Sequence, residues 1–87
     1  MDKQALLTEL LDLAGRLDID VRQVYMTGEG GGLCKLRGRW VLFVDNAAPL
    51  PEQLARTAEA LAGQDHLEDQ YLLPEVREIL DQYRNPK

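Results

Sequence analysis

An α+β fold is predicted by three observations in this sequence. Leu6, Leu10, Leu13 and Leu17 recur at three- and four-residue steps, the period of one helix face. Two apolar runs, Leu33-Cys34-Lys35-Leu36 and Arg39-Trp40-Val41-Leu42-Phe43-Val44-Asp45, flank Arg37-Gly38, which is a hairpin signal. Two further stretches with helical spacing follow Pro51 and Pro74. The order helix, strand, hairpin, helix, helix is most simply buried as a small three-stranded, mainly antiparallel sheet with helices packed on it, in a single domain over residues 1–87.

The first helix is expected from about Lys3 to Leu17, with Asp2 as N-cap and Leu7, Leu11 and Ala14 widening the apolar stripe. Val21, Val24 and Tyr25 predict a short strand from about Ile19 to Met26, because β-branched and aromatic side chains fit a pleated surface. Gly28-Glu29-Gly30-Gly31-Gly32 then breaks regular structure. With Arg37-Gly38 as a two-residue turn, Cys34 falls opposite Val41 and Lys35 opposite Trp40. The second hairpin strand is apolar on both faces, which places it inside the sheet under a cover of helices. Asn46 to Pro51 reads as a loop. Leu54, Ala58 and Leu61 mark the buried face of the next helix, which Gly63 stops. Gln64 to Gln70 is a polar connection. Tyr71-Leu72-Leu73 leads into a last helix whose stripe is Val76, Ile79, Leu80 and Tyr83, and Asn85-Pro86-Lys87 is an expected frayed tail.

Length and composition narrow the function classes. A chain of 87 residues buries only about 60–65% of the surface its unfolded form exposes, enough for one modest core. It has no apolar stretch long enough to span a bilayer and no signal-peptide pattern, and its one cysteine forms no internal disulfide, so the expected setting is the cytoplasm. A net charge of −5 opposes binding to nucleic acid or an anionic membrane as a whole-chain property. The charge is uneven, with Lys35, Arg37 and Arg39 close together and acids dominating from Glu52 to Asp81.

Motifs that would carry chemistry fail on specific residues. The glycine run lacks a following Gly-Lys-Ser/Thr and leads into a strand, so it is no phosphate loop; the dinucleotide fingerprint fails likewise. Cys34 has no second cysteine as a resolving partner and reads as a small hydrophobe on a strand. His66, among Asp65, Glu68 and Asp69, lacks the other nitrogen or sulfur ligands of a transition-metal site, and the stretch lacks the order of a calcium loop. Serine is absent from the chain, which excludes Ser-His-Asp catalysis; Cys-His chemistry would have to join Cys34 to His66 with Asp45 as orienting acid. No catalytic residue, metal ligand or cofactor-binding residue is therefore assigned.

Gly32 to Asp45, followed by the helix Gln53-Leu54-Ala55-Arg56-Thr57-Ala58-Glu59-Ala60-Leu61-Ala62, resembles the core of the ImmA/IrrE-like metallopeptidases. In that family a Gly-rich hairpin precedes a helix that carries the zinc-binding His-Glu-x-x-His motif. Only Glu59 matches; Ala58 and Ala62 stand where the histidines belong. The resemblance thus implies a degenerate scaffold without the zinc site, since a general-base glutamate needs a metal-bound water to act on.

The expected function is that of a non-enzymatic protein-interaction or homodimerising module. Lys35, Arg37, Arg39 and Trp40 on the hairpin are the candidate contact residues, with Tyr71, Leu72 and Tyr83 as further aromatic and apolar candidates. Two alternatives stand beside it: a metal- or thiol-dependent enzyme or sensor using Cys34 and His66, and a nucleic-acid contact through the basic hairpin.

Overall fold

The computed structural model describes residues 1–25 and 31–84. It contains α1 (Lys3–Arg16), β1 (Asp20–Val24), β2 (Gly32–Leu36), β3 (Arg39–Asp45), α2 (Leu50–Ala62), a short 3-10 turn (Leu67–Asp69) and α3 (Pro74–Arg84). This is the expected α+β order of helix, three strands and two C-terminal helices. The expected strand end at Met26, the glycines Gly28 to Gly30 and the tail Asn85 to Lys87 lie outside the described residues.

Local chemistry accounts for the element ends. The Asp2 carboxylate accepts the Ala5 N–H at 2.7 Å and so caps α1. At the other end Asp18 takes φ +67°, Ile19 N–H donates to Ala14 O at 3.0 Å and Asp18 N–H donates to Gly15 O at 3.1 Å. That pair of bonds is the Schellman termination, made here by an aspartate in the left-handed region rather than by glycine. Arg37 and Gly38, at φ +51° and +80°, form the hairpin turn that the twist of antiparallel strands favours. Helix α2 begins one residue ahead of Pro51. No side chain caps it, and Gln53 Nε2 donates instead to Ala48 O at 2.8 Å to close the preceding loop. Gly63 ends α2 at φ −89°, so the stop does not draw on glycine's left-handed freedom. The Gln64–Gln70 connection is not wholly polar in effect, because fully buried Leu67 pins it to the core.

The sheet order is β1-β3-β2. The hairpin is antiparallel with Cys34 opposite Val41 and Lys35 opposite Trp40, the register the two-residue turn requires. Strand β1 pairs parallel to β3, with Asp20 beside Val41 and Val24 beside Asp45. The central strand is therefore β3, as its apolar character on both faces predicts.

Among the described residues, α1 and α2 pack against one face of the sheet, and α3 packs on α1 and α2. Leu42 and Val44 of β3 join Leu7, Leu10, Leu13 and Ala14 of α1, Leu54, Ala58 and Leu61 of α2, and Val76 and Leu80 of α3 in one core cluster, with Val21 and Leu33 against it. Strand residues alternate faces, so Asp20, Arg22 and Val24, Arg39, Val41 and Phe43, and Gly32, Cys34 and Leu36 all belong to the opposite face. The expectation that helices cover both faces of the second hairpin strand is thus corrected for the described residues: α1 and α2 meet the sheet on one face and each other, and α3 is spent on covering α1 and α2.

Candidate functional site

The face without helices is the candidate site. Its floor is apolar: Val41 is 2% exposed, Phe43, Cys34 and Val24 are half-buried, and Leu36 is 44% exposed. Val41 is buried although no helix among the described residues lies on this face. Asp20, Arg22, Leu36, Arg37 and Arg39 surround it and line a depression of about 500 Å³. Long arginine side chains lay their methylene stems on apolar surface while their guanidinium groups stay in water, which explains burial on an open face. Arg22 meets Asp20 within β1, with Nε and an Nη each 3.1 Å from the same carboxylate oxygen. Among the described residues neither Arg37 nor Arg39 forms an ion pair. This end of the face is therefore positive on a chain whose net charge is −5.

The hairpin residues singled out from sequence divide between the two faces. Arg37 and Arg39 line the open depression. Lys35 and Trp40 are cross-strand partners on the helix side, where the Lys35 ammonium lies 5.4 Å from the Trp40 ring centroid, a cation–π arrangement. Trp40 also borders a second depression, of about 380 Å³, with Arg16, Asp18, Gln64, Asp65 and His66. Arg16 is held there by Asp12 at 3.3 Å and by the Tyr71 carbonyl at 3.2 Å. Of the other contact candidates, Leu72 is in the core, whereas Tyr71 is 75% exposed and Tyr83 37% exposed.

Cys34 and His66 are not brought together. Cys34 is on the open face and His66 borders the Trp40 depression on the helix side, so the sheet separates them. His66 is exposed at φ +69° with Nδ1 3.3 Å from Asp69. Asp45 is buried at the end of β3, where Oδ1 accepts the Ala47 N–H at 2.9 Å and shapes the loop into α2. On α2, Ala58 and Ala62 are buried while Glu59 is exposed. No group of three or more His, Cys, Asp or Glu among the described residues could hold a metal ion, and no helix among them is long and apolar enough to cross a membrane.

The open face has a residue that hairpin reasoning misses. Arg22 comes from β1, far from the hairpin in sequence, and parallel pairing seats it beside Phe43. The alternation Asp20-Val21-Arg22 was the available signal, since period two sets Asp20 and Arg22 on one face and Val21 on the other.

The fold and this surface define a small α+β domain in which, among the described residues, one sheet face carries no helix. No protein-family model matches the chain, and no curated protein or solved structure matches it. What the chain does is read from its own geometry.

Proposed function

We propose that this protein is a non-enzymatic interaction module that binds a protein partner through the open face of its sheet. One observation carries the reading: Cys34, Leu36, Val41 and Phe43 share a sheet face on which no helix lies among the described residues, with a basic rim of Arg22, Arg37 and Arg39 beside Leu36 and Val41 and with Val24 and buried Asp45 at the far end. Apolar patches rimmed by polar groups mark contact surfaces more often than they mark catalysis. Cys34 and His66 lie on different sides of the sheet, which favours this reading over a thiol- or metal-dependent site that would use both. In this reading the likeness to the ImmA/IrrE-like core is one of scaffold, with Ala58 and Ala62 where metal ligands would be needed.

Affinity capture from host extract tests the proposal, comparing wild type with Leu36→Glu and Arg39→Glu. Both positions are exposed, so the variants are expected to keep the wild-type circular dichroism and to remain folded with only a small change in denaturation midpoint while losing a specific partner. Recovery of the same proteins by all three chains would show that the face is not the contact surface. Sedimentation velocity on the same samples reads self-association, which would make the partner a second copy.

A further inference from the structure

The dimensions and charge of the open face specify its occupant more closely. Three strands at about 4.8 Å spacing and about 3.4 Å per residue make a face about 14 Å wide and about 17–24 Å long, roughly 300 Å². A footprint of this size is that of a weak contact for any occupant, and a second copy would bring another arginine rim rather than carboxylates to Arg37 and Arg39. A single α-helix, about 10–12 Å in diameter, matches the width, and about four turns match the length. Strand β3 supports the same geometry from its sequence. It carries apolar residues on both faces, the composition of a strand with a layer on each side, yet the described residues supply helices on only one. The rim sets the sign of charge: Arg37 and Arg39 lack carboxylate partners among the described residues, and Arg22 shares Asp20. Nucleic acid fits less well, because the floor is aliphatic and aromatic rather than polar and the chain as a whole is acidic.

We infer that the occupant is a single amphipathic helix of a partner protein, with its apolar stripe on Val41, Phe43 and Cys34 and acidic residues beside that stripe meeting Arg37 and Arg39. This rests on the open face being a contact surface. A docked helix would turn the two-layer domain into a helix–sheet–helix sandwich.

The test is a titration of the full chain, ¹⁵N-labelled, with two synthetic 16-residue helical peptides that share leucines at i, i+3, i+4 and i+7. One carries glutamate and the other lysine at the flanking positions. The glutamate peptide should shift the amides of Arg22, Cys34, Val41 and Phe43, bind at least about tenfold more tightly than the lysine peptide, and weaken several-fold at raised salt. Arg37→Gln/Arg39→Gln should cut its affinity by about fivefold or more. Equal binding of the two peptides, shifts confined to the helices, or no shift at millimolar peptide would each overturn the inference. If cellular capture is lost in Leu36→Glu while the glutamate peptide fails to bind, the contact surface stands and the helical occupant is wrong. If capture is insensitive to the face and the peptide also fails, both readings fall.

Discussion

Val44 and Val41 lie three residues apart on the same strand and are 3% and 2% exposed, yet they are buried by different matter. Val44 sits in the core with leucines from α1 and α2. Val41 lies on the other face, where it lines a depression together with Asp20, Arg22, Arg37 and Arg39. The first cover is rigid and close-packed; the second is made of long side chains that stay in contact with water. Equal accessibility therefore conceals two different surroundings, a helix-covered core and the floor of a surface depression.

The most direct way to break that comparison is to make the same truncation on both faces. Val44→Ala should lower unfolding stability by about 2–3 kcal/mol, the loss of two packed methyl groups plus a cavity that helices cannot collapse into. Val41→Ala should cost about 1 kcal/mol, because arginine stems can settle into the space. Denaturant titration of the two variants measures both. Equal losses would mean that the open face is as firmly packed as the core.

Gly31 tests the edge between the faces. A Cβ there would overlap the carbonyl oxygen of Phe43, so Gly31→Ala must push β2 from β3, and a loss of about 2 kcal/mol is expected in the same assay. A neutral result would show that the start of β2 yields easily and that the floor around Phe43 is not fixed by it.

Arg39→Ala should cost only about 0.5 kcal/mol, since it removes a stem from Val41 but no ion pair. A loss as large as that of Val44→Ala would make the arginine rim a part of the core. The smallest effect on stability is expected from labelling Cys34, which is half-buried on the open face. A thiol reagent should modify it in the native protein without prior unfolding, and the glutamate peptide should slow that reaction. Labelling only under unfolding conditions would show that the face is already closed.

Some of this was legible along the chain because it depends on neighbours in sequence. The Asp2 cap, the Arg37-Gly38 turn and the hairpin register each follow from a few adjacent residues and a fixed backbone geometry. The end of α1 was less legible, because Asp18 does the work usually left to glycine. The split of Lys35 and Trp40 from Arg37 and Arg39 follows from strand alternation around the turn, but only after the register is fixed.

By itself, then, the sequence determined the α+β order, the central place of β3 and the hairpin pairing, through hydrophobic period and turn chemistry. Only the tertiary structure decided that β1 docks parallel to β3, which adds Arg22 to Arg37 and Arg39, and that α1 and α2 take the Leu42–Val44 face with α3 packed on them. A strand apolar on both sides attracts cover to either face equally. Which face receives it is settled by how helices and connections pack together, and that is a property of the whole chain rather than of any segment.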